Sequence, residues 1–494
     1  MGAGRKKRLR SGFTTGACAA AAAKAAAMLV AGYPAPTEVE IPFPDGSRHR
    51  FAIHRVEQNW RHWRNWRNWG QAYKLSSCPR SEPEGKLGSD TNFHFLQQFS
   101  KSKELGGRKL VSDPNFLAND HQGRLFGASV TAAVIKDAGD DPDVTNGAQI
   151  EATVAILSSS EMAELEAGAG DFVFLGSWNQ LLSEDRLQVN SSQLSGVTRQ
   201  QMAASGDVAY LHSNPALAMD PAVTGVWLGR GVGVGMVSKP GLAIAPGQPA
   251  INPVPRQMIA AAVAEVWAGQ VPPSLAVSIA VPDGEKLALK TLNRRLGIIG
   301  GLSILGTTGI VRPVSAEAWT ATIAASLDVA RAAGLRAVIL STGRTSERGV
   351  QQLLQLPEEA CAMMGDYLQF SLQEAGKRGF SRIHLAGMWA KIVKAALKVP
   401  QTHVRNGALE VRQATALLAE LGAEAELVVS LNDANTAREI YLRLEELGRT
   451  ELIGAVCRRA AEYAATTAGV PVTLYLVGSH AQVITTAESE GVTA

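Results

Sequence analysis

The chain has 494 residues, of which 46% are hydrophobic and 19% are charged, and its formal net charge is +3. This composition is ordinary for a globular protein with a sizeable core, and so small a net charge does not favour nucleic acid as a partner. No apolar stretch reaches the length of a membrane span, and the four cysteines lie too far apart for a disulfide framework or a zinc site. We therefore expect a cytoplasmic protein that binds neither a membrane nor nucleic acid.

The first predicted element is an alanine-rich helix that ends near Val30. A threonine of Thr14-Thr15-Gly16, directly before the alanines, offers the hydroxyl that caps a helix N-terminus. Basic residues followed by apolar ones are also the order found in a secretory signal, but Lys24 interrupts the run and alanine is only weakly apolar. We therefore expect a folded helix and no export.

Two β-prone stretches, residues 37–43 and 47–56, flank Pro44-Asp45-Gly46, and this pattern predicts a hairpin. The character of the sequence then changes. Residues 57–127 carry a Trp-Arg-Asn repeat followed by polar sequence without periodicity, and residues 157–226 have a similar character. Tryptophans among arginines can bind nucleic acid, but we favour two insertions into a compact core, the first of them poorly ordered.

Two further strands are predicted at residues 129–135 and 149–156, and an acidic turn lies between them. Three interpretations of its four carboxylates remain open: they hold a hard cation, they supply a general base, or they cap their own solvated turn. A base is favoured over a metal because Lys136 moderates the negative charge. The carboxylates are those of Asp137, Asp140, Asp141 and Asp143.

From residue 274 onward, strand-like and helix-like stretches alternate, which predicts βαβ units and a mostly parallel sheet. The predicted strands are residues 275–281, 336–340, 383–386 and 472–477. The predicted helices are residues 315–332, 346–355, 357–375, 390–397, 408–421, 434–447 and 451–468. The expected fold class is therefore an α+β N-terminal domain followed by an α/β, Rossmann-like C-terminal domain with a mostly parallel sheet.

The expected N-terminal domain is discontinuous, because the two insertions divide it. It combines residues 1–56, 128–156 and 227–272, and the insertions are residues 57–127 and 157–226. The expected C-terminal domain comprises residues 273–480, and residues 481–494 form a tail.

Ligands of parallel sheets gather at the carboxyl ends of the strands, so the segments that follow predicted strands are the first candidates for a site. These segments are residues 282–285, 341–344 and 387–391. The glycine-rich residues 300–309 suit a loop that wraps a ligand, with the hydroxyls of Thr307 and Thr308 as hydrogen-bond donors.

Residues 341–347 predict an anion-binding turn that enters a helix N-terminus, and the alternative is a surface ion pair between Arg344 and Glu347. The best-known nucleotide signatures are missing from the sequence. Neither G-x-G-x-x-G nor G-x-x-x-x-G-K-[ST] occurs, which disfavours a dehydrogenase and a P-loop kinase.

Blocks of sequence along most of the chain resemble the cobalt-precorrin-5B C-1-methyltransferase family. They occur in the order of the family, at residues 9–20, 136–145, 231–256, 282–285, 291–297, 301–311, 341–347 and 402–403. The sequence departs from the family at Asn146 and Asn406, where histidine is frequent, and at Met388-Trp389. These departing positions are not carried over as catalytic.

The resemblance implies transfer of a methyl group from S-adenosylmethionine to C-1 of a cobalt-precorrin intermediate, on the anaerobic route to cobalamin. Cobalt then arrives inside the substrate, and no metal ligands are expected from the protein. Neighbouring enzymes of the pathway and further copies of the chain are the other candidate partners.

From the resemblance we assign expected roles to individual residues. Proton handling is expected from Asp137, Asp141, Glu285, Glu347 and His403. Binding of S-adenosylmethionine is expected from Gly306, Thr307, Thr308, Gly309, Ser341, Thr342 and Gly343. The substrate carboxylates are expected to meet Lys239, Arg256, Lys290, Arg294 and Arg344.

Two other functions stay open at this point. The first is a non-catalytic corrinoid-binding relative that the two insertions have inactivated. The second is a generic nucleotide-binding α/β enzyme, which is weaker because the phosphate-binding motifs are missing. Methyl transfer to the cobalt intermediate separates the main interpretation from both of them.

Overall fold

The computed structural model describes residues 9–59, 129–166, 171–178, 224–267, 272–402 and 411–489. Predictions that concern residues 60–127, residues 179–223 or His403 lie outside these described residues. Up to residue 313 the elements are β1 (Gly12–Phe13), α1 (Thr15–Val30), β2 (Glu38–Pro42), β3 (Arg48–Ala52), β4 (Arg55–Asn59), β5 (Ser129–Ile135), β6 (Gln149–Ile156), α2 (Ser159–Glu166), β7 (Phe172–Ser177), β8 (Gly225–Arg230), β9 (Met236–Val237), α3 (Pro253–Ala264), β10 (Leu275–Ala280), α4 (Gly284–Ala288), β11 (Ile298–Ile299) and β12 (Ile310–Val311). From residue 314 they are α5 (Ala316–Ala332), β13 (Ala337–Ser341), α6 (Arg344–Leu354), β14 (Cys361–Met363), α7 (Leu368–Lys377), β15 (Arg382–Gly387), α8 (Trp389–Ala396), α9 (Val411–Glu420), α10 (Ala425–Leu431), α11 (Ala437–Glu446), α12 (Thr450–Ala468), β16 (Val472–Val477) and β17 (Val483–Glu488).

Helix α1 is the predicted alanine-rich helix, and it is packed on nearly every side. Its cap is confirmed, because the Thr14 side chain accepts a hydrogen bond from the N–H of Ala17 at 3.2 Å. The helix contacts β5, β6 and α3, and most of its residues are buried. A helix that is apolar all round belongs inside a protein, and small alanine side chains let its neighbours approach closely.

The first sheet has six strands in the order β4-β5-β6-β10-β8-β7. Only β10 and β8 are parallel, and the other neighbours pair antiparallel. The prediction that the strand near residue 275 begins the C-terminal parallel sheet is therefore wrong, because β10 lies inside the first sheet. The strand is buried on both faces, and periodicity cannot show which sheet such a strand joins.

The described parts of the two predicted insertions belong to this first sheet, which corrects their assignment. Residues 57–59 form part of β4, which pairs with β5. Within the predicted second insertion, α2 and β7 are formed, and β7 pairs with β8. Leu157, Met162 and Leu165 pack against Trp227 in a small core of their own. This burial explains why a segment with weak periodicity is folded here.

The predicted hairpin is confirmed in β2 and β3, which pair antiparallel about Pro44-Asp45-Gly46. Gly46 has a φ of +80°, which glycine adopts without strain. The second strand is shorter than predicted because the chain leaves the hairpin after Ala52. The N–H of His54 donates to the carbonyl of Ala133 at 2.8 Å, which directs the chain into the first sheet.

The second sheet has five strands in the order β14-β13-β15-β16-β17. The first four are parallel and β17 is antiparallel. Helix α6 packs on one face, and α5, α7, α8 and α12 supply the larger core on the other. With parallel and antiparallel pairs and with helices on the sheets, the protein has a mixed α/β fold. Within the described ranges, none of the helices has the length and apolar character of a transmembrane span.

Three predictions in this second half need correction. Residues 357–375 do not form one helix, because β14 occupies the middle of that range and α7 begins only at Leu368. Residues 483–488 form β17 and not part of a tail, since they pair with β16. Helix α10 was not predicted at all. Each of these elements is short or half-exposed, and such elements give weak periodic signals.

Candidate functional site

The strand order of the second sheet creates a crevice between the ends of β13 and β15. From β13 the chain crosses to β14 on one side, and it then returns to β15 on the other side. The loops that follow β13 and β15 therefore diverge, and open α/β sheets bind ligands at such a point. Thr342 and Gly343 directly follow β13, and Met388 directly follows Gly387, the last residue of β15. Two of the candidate segments from the sequence thus meet at one crevice.

Helix α6 begins at this crevice. Its N-cap residue is Gly343, which has an extended backbone and no side chain with which to cap the helix. A Cβ at Gly343 would meet no atom of the described residues within 4 Å, so the space beside it is open. Across the crevice the packing is close, because a Cβ at Gly387 would lie 2.8 Å from Ile392 Cδ1 and 3.5 Å from Thr342 Cγ2. The open space therefore lies on the Gly343 side, where the first N–H groups of α6 favour an anionic group.

Glu347, in the first turn of α6, is buried and paired with Arg295. Arg295 Nη2 and Nη1 lie 2.5 and 3.1 Å from the two carboxylate oxygens of Glu347. The Ser341 hydroxyl donates to the same carboxylate at 3.0 Å. Burial lowers the pKa of Arg295, but the hydrogen bonds and charge of Glu347 outweigh this effect and raise it. The alternative interpretation, a surface ion pair of Arg344 and Glu347, is therefore wrong, because Glu347 binds Arg295 and is buried.

The sequence did not identify Arg295 as a site residue. Its only signal is the doublet Arg294-Arg295 in a segment of turns, and turns do not show which of two adjacent side chains points inward. In the structure Arg294 is exposed, whereas the Arg295 side chain is only 16% exposed.

A second polar network lies at the end of β14. Asp366 forms an ion pair with Lys391 and accepts a hydrogen bond from Thr402 Oγ1 at 2.9 Å. Lys391 and Lys394 both donate to the carbonyl of Thr402, and burial followed by the charge of Lys391 lowers the pKa of Lys394. Asp366 was missed because β14 was not predicted. A cavity of about 440 Å³ adjoins this network, and its lining includes Tyr367, Phe370 and Gln401.

The glycine-rich loop at residues 300–309 wraps the N-terminus of α1. The N–H of Thr14 donates to the carbonyl of Gly309 at 2.9 Å. A Cβ at Gly306 would lie 2.6 Å from Thr14 Cβ, so this glycine is required for packing inside the protein. Thr307 and Thr308 are exposed on the outside of the loop. These residues therefore contact elements of the first half, whereas Ser341 to Gly343 belong to the rim of the second sheet.

The acidic segment between β5 and β6 is held by bonds within the protein. Arg10 Nη1 and Nη2 bind the carboxylate oxygens of Asp137 at 2.5 and 2.8 Å, and this pairing lowers the pKa of Asp137. Asp141 Oδ1 accepts a hydrogen bond from the N–H of Val314 at 2.9 Å. Glu285 is half-buried in the first turn of α4, after β10. No cluster of His, Cys, Asp or Glu able to hold a metal ion occurs in the described part of the chain.

The five cations predicted to bind substrate fall into two groups. Lys239 is paired with Glu359, and Arg256 Nε donates to the carbonyl of Ile251 at 2.7 Å. Burial lowers the pKa of Arg256. A Cβ at Gly297 would lie 2.6 Å from Lys239 Cβ, so Lys239 is next to the loop at residues 290–297. The exposed cations are Lys290, Arg294 and Arg344.

Comparison with known proteins identifies the family. The family model described as CbiD matches residues 3–66, 118–172 and 201–313, and the one described as CbiD, C-terminal domain, matches residues 401–488. A protein of Desulfotalea psychrophila named cobalt-precorrin-5B C(1)-methyltransferase is 46% identical over 479 residues, which span 97% of this chain and 98% of that protein. The chain belongs to the CbiD family.

Two further relatives that carry the same name support this assignment. Proteins with the same name from Geobacter sulfurreducens and Geotalea daltonii are each 36% identical over 463 residues; these matches cover 93% and 92% of this chain and 92% of each relative. A solved structure titled as cobalamin biosynthesis protein (cbiD) from Archaeoglobus fulgidus covers 89% of this chain and 85% of its own chain, at 17% identity and a TM-score of 0.29. The D. psychrophila match is almost end to end, so most of residues 57–127 and 157–226 fall within its span.

Proposed function

We propose that this chain is a cobalt-precorrin-5B C-1-methyltransferase, a C-methyltransferase of cobalamin biosynthesis. The reaction is methylation of C-1 of cobalt-precorrin-5B to give cobalt-precorrin-6A. The observation that carries the proposal is the near full-length match to a relative of that name at 46% identity. Cobalt is part of the substrate, so no metal site in the protein is needed.

We assign the crevice between β13 and β15 to the methyl donor, S-adenosylmethionine. This donor supplies an electrophilic methyl group on a sulfonium sulfur. The crevice fits it in two respects: the open space beside Gly343 can accept a bulky group, and the first N–H groups of α6 can bind a carboxylate. Ser341, Thr342 and Gly343 form this part of the proposed site. Gly306, Thr307, Thr308 and Gly309 remain a second candidate surface, on which the two threonines are exposed.

The exposed cations are proposed to bind the acetate and propionate groups of the substrate. Lys290, Arg294 and Arg344 are exposed, whereas Lys239 and Arg256 are held by contacts within the described residues. Arginine binds carboxylates through two parallel N–H donors, which fixes orientation as well as affinity. The protein's contribution to the reaction is then to align the substrate carbon with the methyl group and to exclude water.

Among the proton-handling candidates, Glu285 is the carboxylate that the surrounding contacts favour. Asp137 and Glu347 are each bound by an arginine, so their carboxylate oxygens are already engaged within the protein. Asp141 accepts a backbone N–H, and His403 lies outside the described residues. Glu285 is half-buried and forms no ion pair with another described residue. We therefore propose Glu285 as the first residue to test for proton transfer.

We also propose that the two sheets mark two domains, of which the second is Rossmann-like. The boundary is moved from residue 272 to residue 313, because β10 lies in the first sheet and the first CbiD match ends at residue 313. A cytoplasmic location is proposed with the same function, since the pathway intermediates are made inside the cell.

The test is an anaerobic incubation of the purified protein with cobalt-precorrin-5B and S-adenosylmethionine labelled in its methyl group. Label on C-1 of the product is expected. Binding of the substrate without transfer of label would favour a non-catalytic relative, an alternative that none of the named relatives supports. Label at another ring position would contradict the proposed substrate and product.

A further inference from the structure

The ion pair of Arg295 and Glu347 joins the loop at residues 290–297 to the first turn of α6. We propose that these two are positioning residues, which align the crevice of the second sheet with the substrate-binding loop at residues 290–297. This inference rests on the proposed methyl transfer. Neither residue is assigned contact with the reacting atoms.

Glu347 is connected to the crevice by its hydrogen bond with Ser341. One carboxylate oxygen binds Arg295 Nη2, and the other accepts from Arg295 Nη1 and from the Ser341 hydroxyl. Ser341 is the last residue of β13, and its carbonyl accepts from the N–H of Met364 at 2.9 Å, just after β14. The turn that forms the crevice lies between Ser341 and Glu347. A shift of Glu347 therefore moves both ends of this turn.

Arg295 connects the same network to the proposed substrate cations. It lies in one loop with the exposed Lys290 and Arg294. Lys239 packs on Gly297 of this loop and pairs with Glu359, which lies two residues before β14. The ion pair of Arg295 thus attaches the loop to α6 beside the crevice, and a second ion pair holds the lysine against which the loop packs.

Burial separates this pair from an ordinary surface ion pair. The Arg295 and Glu347 side chains are 16% and 7% exposed. Both oxygens of Glu347 are occupied, which leaves it poorly suited to accept a proton from a substrate. Methyl transfer needs the donor carbon and the acceptor carbon in line, and small errors in that alignment cost large factors in rate. A pair placed between the two proposed sites is suited to control this alignment.

The test uses the double variant Arg295→Met/Glu347→Leu, because removing one partner alone would leave a buried charge and risk misfolding. Apolar replacement of both partners often preserves stability. We expect kcat to fall about 100-fold. Amide hydrogen exchange of residues 341–348 should become faster, a readout independent of turnover. A matched control is Arg55→Met/Glu151→Leu, which removes an ion pair of the first sheet and should leave kcat unchanged.

A folded double variant with wild-type kcat and wild-type exchange in residues 341–348 would overturn the positioning role. The conservative variant Arg295→Lys keeps the positive charge, but it cannot donate two parallel hydrogen bonds to the two oxygens of Glu347. Its kcat should therefore fall by about tenfold. Full activity of that variant would also contradict the inference. Absence of methyl transfer by the wild-type protein would instead contradict the proposed function, and the exchange measurement would still show whether the pair orders the crevice.

Discussion

Lys136 and Asp143 form an ion pair in which the lysine side chain is only 2% exposed. Lys136 Nζ also donates to Thr145 Oγ1 at 2.5 Å, and the Thr145 hydroxyl donates to Asp143 Oδ1 at 2.6 Å. The three side chains thus form hydrogen bonds with one another inside the segment that joins β5 to β6. This buried lysine accounts for one of the four acidic side chains there.

Replacing Asp143 with Asn should strongly destabilise the protein. The substitution leaves Lys136 buried without its counter-charge, so we expect the free energy of unfolding to fall by about 3–5 kcal/mol. Urea unfolding near neutral pH measures the change. The control is Asp140→Asn in the same segment, where the side chain is exposed and the loss should stay below about 1 kcal/mol. Equal losses in the two variants would contradict a special role for the buried pair.

The same pair should make stability depend on pH in the acid range. Burial alone would raise the pKa of Asp143, but the charge and hydrogen bond of Lys136, together with Thr145, bring it below its ordinary value. A lowered pKa in the folded state means that the stabilisation is complete above the unfolded value of about 4 and is lost as pH falls through the folded value. The double variant Lys136→Met/Asp143→Asn should lose less stability than wild type over this range. If the free energies of unfolding of wild type and the double variant decreased equally as the pH fell, the ion pair would not contribute to the pH dependence.

Replacing Gly343 with Asp should weaken cofactor binding without harming stability. Aspartate is a good N-cap and Gly343 has an ordinary extended backbone, so stability should rise by roughly a few tenths of a kcal/mol. The new carboxylate would occupy the first N–H groups of α6 and repel an anionic ligand, which should weaken S-adenosylhomocysteine binding by about tenfold. Calorimetric titration and thermal unfolding measure the two effects. Gly343→Asn is the uncharged control, and it should bind S-adenosylhomocysteine more tightly than Gly343→Asp does. Tighter binding by Gly343→Asp would contradict an anion site here.

Replacing Arg344 with Ala should raise the KM for the cobalt intermediate. The exposed guanidinium at the start of α6 is proposed to meet a substrate carboxylate, and loss of one such charged hydrogen bond should raise KM about tenfold. Arg348 is the matched control, since it is also exposed and lies one turn further along α6. Steady-state kinetics with both variants test the assignment. An unchanged KM for Arg344→Ala, or an equal rise for Arg348→Ala, would remove Arg344 from the substrate site.

Elements with strong local signals were predictable from sequence. Helix α1 has a capping threonine before a run of alanines that only Lys24 interrupts, and strands β13, β15 and β16 are short apolar runs bounded by turns. The crevice was predictable for the same reason. Once β13 and β15 were identified, the rule that ligands bind at the carboxyl ends of parallel strands pointed to Thr342 and Gly387.

Features that depend on distant partners were not predictable. β10 was identified as a strand, but its neighbours β6 and β8 come from earlier parts of the chain that had been assigned to other regions. β14 has only three residues within a helix-like stretch, and β17 alternates exposed with partly buried positions like a polar tail. Arg295 and Glu347 are 52 residues apart, and nothing local marks either of them as the other's partner.

The central position of β10 in the first sheet has a consequence for how this protein is made. Strands β6 and β8 are neighbours only through β10, so the sheet stays in two pieces until residue 280 has left the ribosome. More than half of the chain must therefore emerge before its first sheet closes, and domains of this kind cannot fold in small increments during translation. Until then the strands of the first sheet have exposed edges, and these strands are the part of the nascent chain most in need of chaperone protection.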